Sequence, residues 1–163
     1  MLIKSLFMKK TIYFLFSVCL TWIVCTQYAC KKEGCGESNI SYNNQSKSHN
    51  MGQNCMNCHN DGGSGEGCFN IAGTVYSSNS SNTTKPNGTI KLYTGPNASG
   101  TLKATIQIDA KGNFHSTDAI DFSSEVYPVV YGSSGNVQYM PSGTKNGACN
   151  SCHGSNGNKI WVN

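Results

Sequence analysis

The sequence predicts a mainly β protein: a small antiparallel, Greek-key-like β-sandwich flanked by two loop-rich segments. Two observations carry this prediction. Short apolar runs, one with a clear period of two, recur between residues 71 and 140, and the stretches between them are too rich in Ser, Asn, Gly and Pro to extend any element. The composition agrees, because 18 glycines in 163 residues, with 10% aromatic and 12% charged residues, suit a loop-rich β body with one modest core.

Residues 1–29 stand apart from the fold. Lys4, Lys9 and Lys10 precede an apolar stretch over 11–25, the arrangement of a secretory signal peptide. At roughly 15 residues this stretch falls short of the ~20 needed to span a bilayer. The signal ends at Gln27-Tyr28-Ala29-Cys30, a small residue before a cysteine. That ending resembles the bacterial lipoprotein signal, in which the cysteine becomes the lipid-bearing first residue, although Gln27 stands where an aliphatic residue is usual. The resemblance makes Cys30 the expected lipid anchor and places the chain outside the cytoplasm of a bacterium, in the periplasm or at the outer membrane or cell surface. Without residues 1–29 the chain carries nine basic and eight acidic residues, a net charge of +1 that gives no support for nucleic-acid binding.

Residues 30–48 are polar and nearly free of apolar anchors, so a flexible tether is expected there. Residues 49–70 form a first motif segment, whose glycines Gly52, Gly62, Gly63, Gly65 and Gly67 allow no more than a single helical turn. The sandwich is expected over 71–141, with strands at 71–76, 89–94, 102–108, 113–115, 126–131 and 136–140 and loops at 77–88 and 132–135. Leu102, Ala104, Ile106 and Ile108 alternate with polar residues, as on a half-buried strand. The turn Asp109-Ala-Lys-Gly112 then predicts a hairpin into Asn113-Phe114-His115. Residues 142–163 form the second motif segment.

The chemistry lies in Cys55-Met-Asn-Cys58-His59 and Cys149-Asn-Ser-Cys152-His153. Each peptide has the form of a c-type haem attachment site, where two thiols add across the porphyrin vinyl groups and the adjacent histidine reaches the iron as proximal ligand. Two covalently attached haems are therefore expected, with thioethers at Cys55, Cys58, Cys149 and Cys152 and proximal ligands at His59 and His153. Distal candidates are His49, six residues before Cys55, and Met140, nine before Cys149. His115 ranks third, because strand alternation turns it away from the Phe114 side and toward solvent. Tyr127, Tyr131, Tyr139 and Trp161 are candidate stacking partners for a haem.

Of the remaining cysteines, Cys19 and Cys25 leave with the signal, and Cys35 and Cys68 are a candidate disulfide in an oxidising compartment. Two Cys-x-x-Cys pairs also raise a structural zinc site, but such pairs normally lie ~15–20 residues apart. Here more than ninety residues separate them, and each is followed by a histidine that zinc does not require. Electron transfer without enzymatic activity is the expected function, with other envelope redox proteins, and the membrane through the anchor, as partners. The alternatives are a haem enzyme or a gas or peroxide sensor with one open iron position, and a structural or adhesion module with cysteine-ligated zinc.

The stretches Ile71-Ala-Gly-Thr-Val-Tyr76, Gly88-Thr-Ile-Lys-Leu-Tyr93 and Thr105-Ile-Gln-Ile-Asp-Ala-Lys-Gly-Asn-Phe114 resemble the transthyretin-like, carboxypeptidase-regulatory type of β-sandwich. The resemblance covers 71–131 and implies a scaffold rather than an activity. With a haem peptide on each side, the chain from 30 to 163 is similar to small di-haem c-type cytochrome lipoproteins and to repeats of envelope multihaem cytochromes. That wider resemblance implies both haems on one domain.

Overall fold

The computed structural model describes residues 35–154 and 157–163; the expected signal peptide and the Cys30 anchor lie outside the described residues. Seven strands form two sheets, in the sandwich that the sequence predicts. Strands β1 (Ile71–Tyr76), β4 (Asn113–Ser116) and β7 (Ile160–Trp161) make one sheet in the order β4-β1-β7. Strands β2 (Thr89–Gly95), β3 (Ser99–Gln107), β5 (Tyr127–Tyr131) and β6 (Val137–Tyr139) make the other in the order β3-β2-β5-β6. No helix among the described residues is long and apolar enough to cross a membrane.

Ile71, Val75, Phe114 and Val162 pack with Ile90, Leu92, Ile106, Ile108, Val126 and Val130 as one hydrophobic core between the sheets. β1 is buried at every position, although only alternate residues belong to that core. Its other face, carrying Ala72, Thr74 and Tyr76, is covered by the segments that hold the two cysteine motifs. The four-stranded sheet behaves differently at its rim. β3 is an edge strand whose outer half is wet, with Leu102 46% exposed, and the expected alternation becomes burial only at Ile106 and Ile108.

Three features depart from the sequence reading. Residues 109–112 do not join a hairpin, because β3 pairs with β2 while β4 pairs with β1 in the other sheet. The buried Asp109 carboxylate accepts from the backbone N–H groups of Lys111 (2.8 Å) and Asn113 (2.9 Å), closing a corner that carries the chain between sheets. The pairing is also not wholly antiparallel. β7, two residues long and too short for periodicity to reveal, runs parallel to β1 with Val75 opposite Ile160 and Tyr76 opposite Trp161. Ala148 bridges Ala72 in the same sense, so the chain meets the edge of β1 at 148 and again at 160.

Nor are residues 39–48 a free tether. Ile40 bridges Ser116, the Ser41 N–H donates to the His115 carbonyl (3.0 Å), and the Ser41 hydroxyl donates to the Gln107 carbonyl (2.6 Å). Lys111 Nζ donates to the Ser48 carbonyl at 2.7 Å. The exposed edge of β4 offers unpaired backbone groups, and small polar side chains satisfy them through hydrogen bonds that hydropathy does not register.

Gly73 lies opposite Phe114 in the β1–β4 ladder, and a Cβ there would stand 2.5 Å from the Phe114 ring and 3.1 Å from Cys149 Cβ. Phe114 is 1% exposed and packed in the core, so its ring would have to shift out of its packed position to admit the methyl group. Gly73→Ala is therefore expected to destabilise the fold by about 1–3 kcal/mol through overpacking. A urea midpoint equal to that of the parent protein would contradict this packing.

Candidate functional site

The two cysteine motifs fold into the same local shape. The first begins with a 3-10 turn at Cys55–Asn57, capped by the Asn54 side chain, which accepts from the Met56 N–H at 3.2 Å. The second is a one-turn helix at Asn150–His153. In both, the histidine N–H donates to the carbonyl of the first cysteine, at 3.0 Å for His59 and 2.9 Å for His153. The second cysteine does the same, at 3.1 Å for Cys58 and 3.2 Å for Cys152. A single turn of this kind brings residues i, i+3 and i+4 to one side. All four thiols are free, whereas Cys35 and Cys68 form the expected disulfide.

Each motif histidine is held through one nitrogen only. His59 Nδ1 lies 2.9 Å from the Glu66 carbonyl and His153 Nδ1 lies 2.7 Å from the Asn158 carbonyl. A carbonyl oxygen only accepts, so Nδ1 carries the proton and the Nε2 lone pair is left for a metal, the support that metal-bound histidines characteristically have. The loop beside His59 is shaped to its ring. A Cβ on Gly65 would lie 2.6 Å from His59 Nδ1, so glycine is required there by close approach.

The motifs meet at β1. Thr74 is fully buried in mid-strand, and its N–H donates to Asn150 Oδ1 at 3.0 Å. Its hydroxyl accepts from the Gly52 N–H (2.9 Å) and Asn150 Nδ2 (3.0 Å) and donates to Asn113 Oδ1 (2.7 Å). Asn150 Nδ2 also donates to the Gln53 carbonyl at 2.9 Å, and that carbonyl lies 3.6 Å from Cys55 Sγ. One backbone oxygen thus touches both motifs. Burial pushes the Cys149 thiol up to about 12, with a smaller contribution from the nearby Cys55, and burial raises Cys55 as well. These sulfurs are therefore neutral thiols at physiological pH.

The surroundings of the two motifs differ. Around the first, the His49 and His59 ring centroids are 6.1 Å apart. Phe69 stacks on His59 at 4.0 Å and 8°, and His115 stacks on the far side of Phe69 at 4.6 Å and 21°. His115 does turn away from Phe114, but it is covered rather than solvent-facing: Nε2 donates to Asn39 Oδ1 at 2.9 Å under the 39–41 segment. Around the second motif, a largely apolar cavity of about 250 Å³ is lined by Cys149, Cys152 and His153 together with Met140, Tyr139 and Trp161. Tyr127 and Tyr131 do not line it; the Tyr131 hydroxyl faces that of Tyr93 at 3.3 Å, and the Tyr127 hydroxyl donates to Glu125. Among the described residues no three His, Cys, Asp or Glu side chains converge as a metal cluster.

Gln53, Phe69, Thr74 and Asn150 escape the sequence reading. Asn150 occupies a variable position inside a motif, and a threonine in an apolar strand looks like ordinary alternation. Phe69 had one signal, its place next to Cys68. No known protein family, no curated protein and no solved structure matches the chain.

Asn150→Ala removes three hydrogen bonds and leaves the Thr74 N–H without a partner, an expected cost of about 1–3 kcal/mol for the orphaned group. Hydrogen exchange checks it: amides of 50–57 and 148–153 lose protection together, and loss confined to one segment would contradict the shared hub. A second expectation concerns acid. Burial lowers His115 from 6.5 to about 4, opposed by Asp109 and assisted by His59 and His49. Its folded value lies below its unfolded one, so the unfolded chain binds the proton first and stability falls as pH drops from 6.5 through about 4. His115→Phe flattens that part of the urea-midpoint profile, and an unchanged slope would refute the assignment.

Proposed function

We propose that this chain is an exported electron carrier that holds one covalent c-type haem at each Cys-x-x-Cys-His motif. The observation that carries the reading is the repeated donor set. Two separate turns each present two free thiols and a histidine whose Nδ1 is satisfied by a carbonyl, leaving Nε2 open. The residues fit the group: Cys55 with Cys58 and Cys149 with Cys152 would form the thioethers, and His59 and His153 would be the proximal ligands. Such a haem supplies a reversible one-electron couple at its iron.

The distal donors proposed for the two sites are unlike. His49 lies beside His59, with ring centroids 6.1 Å apart, and would supply the distal nitrogen at the first site. Met140 instead shares the apolar cavity with His153. A thioether favours ferrous iron more than a second imidazole does, so the second site takes the higher potential. The shared Gln53 carbonyl and the Thr74 hub hold the two attachment turns side by side, which supports a coupled pair over two independent relays. The Cys35–Cys68 disulfide suits an oxidising envelope compartment, and Cys30 is the proposed lipid anchor.

The test is production in a bacterial periplasm with c-type haem maturation. A red protein that keeps its colour through acid–acetone extraction is expected, and Cys55→Ala/Cys58→Ala or Cys149→Ala/Cys152→Ala each halve the haem per chain. A colourless, zinc-containing product refutes the reading. A ferric spectrum with a high-spin component sensitive to cyanide moves the assignment to an enzyme or sensor. Within the carrier, Met140→Leu abolishes the thioether-to-iron charge-transfer band and lowers only one potential, whereas His49→Ala disturbs only the other. If both variants perturb the same centre, the assignment of distal ligands is wrong.

A further inference from the structure

The structure assigns to Phe69, with the Cys35–Cys68 disulfide behind it, the task of fixing the plane of the His59 ring. The assignment rests on the proposed role of His59 as an iron ligand. An imidazole bound through Nε2 keeps one soft coordinate, rotation about the metal–nitrogen bond, and the ring plane governs its overlap with the metal orbitals. At His59 two contacts oppose that rotation. Nδ1–H donates to the Glu66 carbonyl at 2.9 Å, and the ring face lies flat on Phe69 at 4.0 Å and 8°.

Those contacts are themselves braced. The Phe69 N–H donates to the His59 carbonyl at 3.1 Å, closing the loop from 59 to 69 onto its own start. His115 stacks behind Phe69 and donates to Asn39 Oδ1, while Asn39 Nδ2 donates back to the same Glu66 carbonyl at 3.0 Å. Cys68, adjacent to Phe69, is bonded to Cys35 across 33 residues, so the backbone beside the stacking residue is tied covalently to residue 35. The second motif lacks this frame. His153 has the Asn158 carbonyl on Nδ1, but among the described residues no aromatic ring stacks on it. Phe69 is thus a positioning residue for one of two sites built on the same peptide pattern.

The experiment uses the full haem-loaded chain and compares Phe69→Leu, Cys35→Ser/Cys68→Ser and Phe69→Tyr. Haem per chain, the low-temperature EPR spectrum of the ferric protein and the two midpoint potentials are measured. The first site is assigned from a Cys149→Ala/Cys152→Ala chain. Phe69→Leu and the double serine variant are expected to keep two haems, to shift the largest g value and the midpoint of the first site, and to leave the second unmoved. Phe69→Tyr, which keeps the stack, restores the parent values. Selective loss of the first haem in Phe69→Leu, rescued by Phe69→Tyr, also supports the role. Unchanged g values and potentials in both perturbing variants overturn it, as does an equal shift at both sites. Absence of covalent haem in the parent protein is a different failure, that of the proposed function itself.

Discussion

The structure depends on the hydrogen bonds of one buried threonine. Thr74 sits in the middle of β1 where an apolar residue would need no partner, and its hydroxyl uses its full capacity of one donor and two acceptors. An unsatisfied hydroxyl or amide in that position costs about 1–3 kcal/mol, so β1 is favourable only when polar partners reach Thr74 from neighbouring segments. They arrive from Gly52 before the first motif, Asn150 inside the second, and Asn113 on β4. Asn113 in turn donates to Ser48 at 2.9 Å, extending the network to the approach of the first motif. Among the described residues no buried side-chain polar atom is left without a partner. The same hydrogen bonds thus serve both the β1 strand and the position of the two cysteine turns.

That constraint explains how two flexible, glycine-rich peptides acquire defined positions. Their contribution to the core is small: Cys149 packs against it, Asn150 is the buried residue of its helix, and the first turn buries none. Their order comes from backbone carbonyls, such as that of Gln53, and from polar side chains with complete hydrogen-bonding partners. It also leaves room for asymmetry. The hub fixes where the turns lie, while the far side of each is built separately, with stacked aromatics and a disulfide at one and an apolar cavity at the other. With the proposed haems bound, two such sites with different supports would hold two different potentials.

Much of the fold was legible because alternation and turn composition are local. β1 matched its expected span at both ends, and the strands near 89–95, 99–107, 113–116, 127–131 and 137–139 fell where apolar runs indicated. The sheet assignment of β4 was not legible, since the turn at 109–112 looks the same whether the chain stays in its sheet or crosses to the other. β7 was hidden by its two-residue length, and the packing of 39–48 by its reliance on serine and asparagine. At the candidate site, the four cysteines and two histidines stand out through spacing alone. Gln53, Thr74 and Asn150 do not, because a hydrogen-bond hub has no periodicity and its members lie far apart in the chain.

The central claim is that the two motifs form one coupled unit, and the most direct measurement is whether their magnetic signals add. The EPR spectrum of the fully oxidised protein carrying both proposed haems is compared with the sum of the spectra from two chains that each lack one cysteine pair. Attachment turns that share the Gln53 carbonyl predict a non-additive spectrum, with spin–spin broadening that vanishes when either pair is removed. A spectrum that equals the sum would contradict the account and leave two centres that merely share a scaffold.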